Sequence, residues 1–231
     1  MNKIIRLVAK QGTCIGIVGP IAAGKSTLCK GVSKKESSIV VVNEESKNYP
    51  HFKEYYKYKD QRPRKLAPSG LSFPADIQKF SFEWRKEQYI LGEKNIKNGQ
   101  VVLFDMLLHT DIAYAMANEK DMFEEEYKDY LRSFQAAMKE RRKPDVIIYL
   151  DCSPKTSLNR IRKRGRDGED ALSDEDWLNY LKDMEKIYKG PWMKYMKKIG
   201  CKVIVVNWNT FPDDITSFFE EQLSHFFQKS E

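Results

Sequence analysis

The run Gly19-Pro-Ile-Ala-Ala-Gly-Lys-Ser-Thr27 closes an apolar stretch that begins at Thr13 and opens a segment of helical pattern. It satisfies G-x-x-x-x-G-K-[ST], and a strand, a glycine-rich turn and a helix in that order are the context the motif requires. Glycines let the backbone wrap closely around phosphate oxygens. The helix N-terminus adds unpaired N–H groups and the positive end of its dipole. The segment therefore predicts a nucleoside triphosphate site made by Gly19, Ala22, Ala23, Gly24, Lys25, Ser26 and Thr27. Lys25 supplies a mobile charge for the terminal phosphates, and Ser26 is the expected magnesium ligand.

Four further β-branched runs repeat the first: Ser38–Asn43, Gln100–Asp105, Asp145–Leu150 and Lys202–Asn207. Each is apolar on successive residues, as in parallel strands covered on both faces. Helices must supply the cover. Asp121 with Glu124 suggests a capping box ahead of the stripe Phe123, Tyr127, Tyr130, Phe134 and Met138. Ser173 precedes Trp177, Leu181, Met184 and Tyr188, and a stripe of Ile215, Phe219, Leu223 and Phe226 follows Pro212. The fold class is α/β: a three-layer α/β/α sandwich around a five-stranded parallel sheet. Asp60–Pro74, with three prolines and three basic residues, breaks the alternation and reads as a long loop.

Composition limits the rest. A chain of 231 residues, 41% hydrophobic and 32% charged, suits one domain over residues 1–231. No run reaches the 18 or more apolar residues of a spanning helix, so the expectation is a soluble cytoplasmic protein with no membrane partner. Cys14, Cys29, Cys152 and Cys201 have no paired spacing, which argues against disulfides and zinc and fits a reducing compartment. A net charge of +7 implies anionic partners without saying which.

Arg160, Arg162, Lys163, Arg164 and Arg166 place five cations in seven residues at a helix end. Arginine's planar fork suits phosphate oxygens and charge developing in transfer. Arg164 and Arg166 are the expected phosphoryl clamps, with Arg160 positioning the segment beside ATP.

These motifs carry a resemblance. The phosphate loop together with Ile148-Tyr-Leu-Asp-Cys-Ser-Pro-Lys-Thr-Ser-Leu-Asn-Arg160-Ile-Arg-Lys-Arg164-Gly-Arg166 resembles the deoxynucleoside kinases, P-loop enzymes that phosphorylate the 5′-hydroxyl of deoxynucleosides. The likeness covers nearly the whole chain and implies a P-loop kinase fold with an arginine-rich lid at about residues 160–172. Glu44 stands where the family has its base, with Glu45 competing, and a carboxylate there must reach the attacking hydroxyl in ionised form. Asp105 occupies the acidic position that orients magnesium. Met106 replaces the family arginine beside it, so positive charge must come from elsewhere or be missing.

The resemblance also implies a substrate pocket. Glu83, in Phe80-Ser-Phe82-Glu83-Trp84, stands for the residue that grips the base, and Phe82 and Trp84 could flank it. An ionised carboxylate only accepts, so Glu83 predicts a base with two adjacent donors, such as guanine. Tyr56, with Tyr55 and Tyr58 as neighbours, and Glu169 are sugar-contact candidates. Val206–Pro212 resembles the loop on which the adenine of ATP rests. The expected partners are ATP, magnesium and a deoxynucleoside, and the likeness allows a homodimer. A nucleoside monophosphate kinase is the nearest alternative, because Arg62, Arg64 and Lys65 could meet a substrate phosphate. A nucleotide-binding protein without catalysis is the other. Direct nucleic-acid binding ranks below both, since no recognition module is apparent.

Overall fold

The protein was studied as a computed structural model, which describes residues 12–35, 37–43, 49–58, 61–166, 168–211, 217, 218 and 221. Five strands, β1 (Cys14–Val18), β2 (Ile39–Val42), β3 (Val101–Asp105), β4 (Val146–Asp151) and β5 (Lys202–Asn207), form one sheet in the order β2-β3-β1-β4-β5. All four pairings are parallel. Side chains alternate between its faces. Cys14, Val18, Val102, Phe104, Ile147 and Tyr149 join one hydrophobic layer, and Ile15, Ile17, Leu103, Ile148 and Leu150 the other. The central strands are buried on both sides, which is why each reads as an unbroken apolar run.

Helix α1 (Lys25–Lys35) follows β1. Helices α2 (Phe52–Tyr58), α3 (Phe73–Lys97), α4 (Asp111–Asn118), α5 (Glu124–Glu140), α6 (Pro154–Arg164), α7 (Asp174–Ile187) and α8 (Met193–Lys198) complete the cover. Ser173 caps α7 as its sequence predicts, accepting from the Asp176 N–H at 3.1 Å. Trp177, Leu181, Met184 and Tyr188 are buried. The stripe Ile215, Phe219 and Leu223 to Phe226 lies outside the described residues, as do residues 1–11.

Two local expectations need correction. Asp121 does not cap α5. It ends a 3₁₀ turn, Glu119–Asp121, and the first residue outside the helix is Phe123, whose N–H donates 2.9 Å to Glu126. Glu126 also accepts from the N–H and hydroxyl of Ser72, the N-cap of α3, so one carboxylate fixes two helix starts. Pro74 belongs to the first turn of α3 rather than to the loop, at a position where the missing N–H costs nothing.

After β1 the chain passes to β2 and β3 on one side, and after β3 it crosses to β4 on the other. Their carboxyl ends therefore diverge around β1, the place where open parallel sheets bind ligands.

Candidate active site

A cavity of about 700 Å³ opens at that crevice, a size typical of small-molecule sites. Its floor is the phosphate loop: Ile21, Ala22, Gly24, Lys25, Ser26 and Thr27 all line it. Gly24 has φ +100°, and a Cβ there would stand 2.6 Å from the Phe211 ring, so only glycine fits. Lys25 is 7% exposed, and its ammonium donates to the carbonyl oxygens of Gly19 (3.2 Å) and Pro20 (3.1 Å). Ala23 and Gly19 shape the loop from behind, Gly19 packing against Leu150.

The arginine-rich segment closes one side. Ser153 caps α6, and Gly165 ends it in the left-handed conformation at φ +56°. Arg160, Lys163, Arg164 and Arg166 line the cavity. Arg160 bonds the carbonyls of Ala23 (2.9 Å), Trp208 (3.0 Å) and Asn209 (3.2 Å) and lies against Phe211. Arg162 faces the other way. It holds Asp174 and the carbonyls of Glu169 and Leu172, so this member of the basic cluster is structural.

The opposite wall is α3, and here the structure redirects the sequence reading. Ile77, Gln78, Ser81, Trp84 and Arg85 face the cavity, at helical spacings that define one stripe. Glu83 does not. Its side chain is half exposed and paired to Lys86 on the outer surface, on the side of the helix away from the stripe. Phe82 is also off the cavity, buried in the core with ring centres 5.7 Å from Tyr130 and 6.3 Å from Phe134. Of the three α3 candidates only Trp84 lines the site.

Instead the wall carries a buried polar network. Asp111 is fully buried and accepts from Arg85, from Gln78 Nε2 (2.5 Å) and from the Tyr130 hydroxyl (2.9 Å). Burial pushes its carboxyl up from the ordinary value, opposed by the Arg85 guanidinium and the donors. Gln78 and Arg85 were missed because the stripe mixes them with Ile77 and Trp84, hiding its polar character. Their i, i+7 spacing on one face was the available signal.

Tyr55 and Tyr56 both line the cavity, whereas Tyr58 packs on Phe73 outside it. The Tyr55 hydroxyl donates to Asn118 at 3.1 Å. Tyr56 is buried, which raises its phenol far above the usual range; the charge of Glu169 acts in the same direction. Glu169 itself is buried, lines the cavity and pairs with Arg164.

Asp105 ends β3 beside Ile17, buried behind the phosphate loop rather than on the cavity surface. Met106 follows it with φ +84°, and its N–H donates to Ile17 at 3.2 Å. Cations that line the cavity include Lys25, Arg85, Arg160, Lys163, Arg164 and Arg166. Glu44 and Glu45 lie outside the described residues.

Arg62 and Arg64 do not line the cavity. Both donate to the Lys120 carbonyl, Arg62 also to the Asp121 carboxylate and Arg64 to the Asp121 carbonyl, and Arg64 lies 5.2 Å from the Phe123 ring centre. They fasten the proline-rich loop to a 3₁₀ turn.

A glycine-rich loop at the carboxyl end of a parallel strand, faced by a row of arginines, defines a P-loop phosphotransferase. More narrowly, the chain belongs to the deoxynucleoside kinase family, whose sequence model matches residues 15–227. Deoxyadenosine kinase of Dictyostelium discoideum is 30% identical over 207 residues, 88% of this chain and 75% of that protein. Deoxyguanosine kinase of Bacillus subtilis (strain 168) is 25% identical over 183 residues, 76% of this chain and 78% of that one. The structure of deoxyadenosine kinase from M. mycoides with bound dATP has a TM-score of 0.69 at 26% identity, covering 91% of this chain and 98% of its own. The protein is therefore a nucleotide-binding kinase with an alcohol acceptor. No helix among the described residues is long and apolar enough to cross a membrane.

Proposed function

We propose that the protein transfers the γ-phosphoryl of ATP to the 5′-hydroxyl of a purine deoxynucleoside, with deoxyadenosine preferred. The observation that carries this reading is the orientation of Gln78. Its amide nitrogen donates to both the carbonyl (3.2 Å) and the carboxylate of Asp111, leaving its carbonyl oxygen as the acceptor for a base. Arg85 beside it is a donor. Adenine offers an amino donor next to a ring-nitrogen acceptor and matches this pair, as cytosine does with its amino group beside N3, and the purine kinases among the relatives favour adenine of the two. Thymine has a carbonyl where adenine has its amino group, so acceptor would meet acceptor. The guanine preference expected from Glu83 loses its basis, since that residue is on the outer surface. Deoxyadenosine and deoxyguanosine kinases among the relatives support a purine.

Transfer is positioning plus charge stabilisation. The phosphate loop binds the donor, Lys25 turns from the Gly19 and Pro20 carbonyls to the terminal phosphates, and Arg164 and Arg166 take the charge that develops on the moving group. Glu44, two residues beyond β2, is the proposed base that removes the 5′-hydroxyl proton. Tyr56 and Glu169 face the sugar. The donor set suits magnesium: a hydroxyl, Ser26, on the cavity and a single carboxylate, Asp105, behind it are the few oxygen ligands that this ion takes alongside phosphates and water. Bound there, magnesium would neutralise phosphate charge.

The deciding experiment is a panel of deoxynucleosides and their monophosphates with γ-labelled ATP. Deoxyadenosine should give the highest kcat/KM and thymidine the lowest. Thymidine outcompeting both purines, or transfer only to monophosphates, would overturn the reading.

A further inference from the structure

We propose that Glu169 is a positioning residue that holds Arg164 away from the phosphoryl group until a sugar hydroxyl takes over its carboxylate. This rests on the deoxynucleoside acceptor argued above. Both oxygens of Glu169 are engaged by the Arg164 guanidinium, Nε to Oε2 at 3.1 Å and Nη2 to Oε1. The carboxylate cannot follow the arginine elsewhere. Glu169 is 2% exposed, and its own carbonyl is gripped by Arg162 Nη1 and Trp177 Nε1, each at 2.9 Å. Arg164, on a longer side chain, keeps 31% of its side-chain surface in solvent. One partner is anchored and the other can swing.

The two residues face one cavity with Lys25 and Tyr56. While paired, Arg164 has its charge countered by a carboxylate and offers little to a phosphate. A buried carboxylate cannot be left without a partner at low cost, so Arg164 stays until another donor reaches Glu169. A deoxyribose hydroxyl is such a donor. Its arrival frees the guanidinium just when an acceptor is in place.

Without an acceptor the competing reaction is hydrolysis. A water oxygen bonds to the γ-phosphorus, the bond from that phosphorus to the β–γ bridging oxygen breaks, and the water proton is released with ADP and phosphate. The Arg164–Glu169 pair suppresses this step.

Acceptor-free ADP formation by the full chain with magnesium and ATP tests the idea. Glu169→Gln should raise it at least fivefold, and the same change in an Arg164→Ala background should do nothing. For deoxynucleoside phosphorylation, Glu169→Gln should raise KM more than it lowers kcat. In the unaltered protein, 2′,5′-dideoxyadenosine, which keeps the 3′-hydroxyl but cannot accept, should stimulate hydrolysis severalfold, and the analogue that also lacks the 3′-hydroxyl should not. If thermal melting shows Glu169→Gln unfolded, Glu169→Asp, one methylene shorter, should raise hydrolysis in its place. Hydrolysis at or below the unaltered rate in a folded Glu169 variant overturns the proposal. A protein that phosphorylates no deoxynucleoside overturns the acceptor reading instead, and the Glu169→Gln and Arg164→Ala cycle still decides whether the pair restrains hydrolysis.

Discussion

The guanidinium of Arg160 lies 4.3 Å from the centre of the Phe211 ring while its nitrogens bond three main-chain carbonyls, those of Ala23, Trp208 and Asn209. One side chain thereby ties the phosphate loop, α6 and the chain beyond β5. Hydrogen bonds from charged donors contribute roughly 1.5–3 kcal/mol each where the acceptors would otherwise be left unpaired. Arg160→Ala should therefore lower the melting temperature by several degrees and raise KM for ATP. Arg160→Lys should recover less than half, because one ammonium lacks the planar fork. Calorimetry of the three proteins checks this, and an unchanged melting temperature in Arg160→Ala would refute it.

Substitutions on the two sides of α3 should separate cleanly. Gln78→Ala removes a cavity acceptor and leaves Asp111 short of a donor, so kcat/KM for the preferred deoxynucleoside should fall at least about tenfold, equivalent to ~1.4 kcal/mol. Glu83→Ala touches only an exposed pair with Lys86 and should change it less than about twofold, since surface pairs contribute roughly 0–1 kcal/mol. Steady-state kinetics with the same nucleoside decide between the two positions.

Arg64→Ala should act on stability alone. It loses bonds to the Lys120 and Asp121 carbonyls and its stacking on Phe123, which predicts a loss of about 1 kcal/mol in urea unfolding. The kinetic constants for the nucleoside should stay the same. A selective loss of activity toward a monophosphate would instead mean that this loop meets substrate.

His109 should make the fold acid-sensitive. It is buried beneath Tyr89, with its carbonyl taking the Trp192 N–H at 3.2 Å, and burial lowers its pKa from 6.5 to about 4. The folded value lies below the unfolded one, so the unfolded chain binds more protons between those values. Stability should then fall as pH drops from about 6.5 to 4, by an amount on the order of 3 kcal/mol. His109→Gln, which cannot titrate there, should flatten that part of the pH profile of the melting temperature; an identical slope in both proteins would contradict the assignment.

Much of the architecture was legible because burial on both faces leaves a plain mark. The apolar runs Thr13–Pro20, Gln100–Asp105 and Asp145–Leu150 became the three central strands, and Gly19–Thr27 became the cavity floor. Ser173 was readable because a cap acts locally. The α3 wall was not, because a helix shared between core and cavity has two inner faces: Phe82 and Gln78 are equally buried yet serve different ones. Sequence spacing alone could not tell them apart. The basic loop misled for another reason. The charges of Arg62 and Arg64 are met by main-chain carbonyls far along the chain, and no local pattern records such partners.

Gly165 divides the proposed phosphate clamp, Arg164 and Arg166, into two mechanical parts. Arg164 is the last residue of α6 and shares the stiffness of a helix capped at both ends, whereas Arg166 lies beyond the left-handed stop, in a turn with a second left-handed glycine at Gly168. The two guanidinium groups are thus neighbours in sequence but mounted on supports of unequal rigidity. Arg164 therefore swings as a side chain from a helical backbone, whereas Arg166 is carried on the turn itself, a difference that a continuous helix through this point would remove.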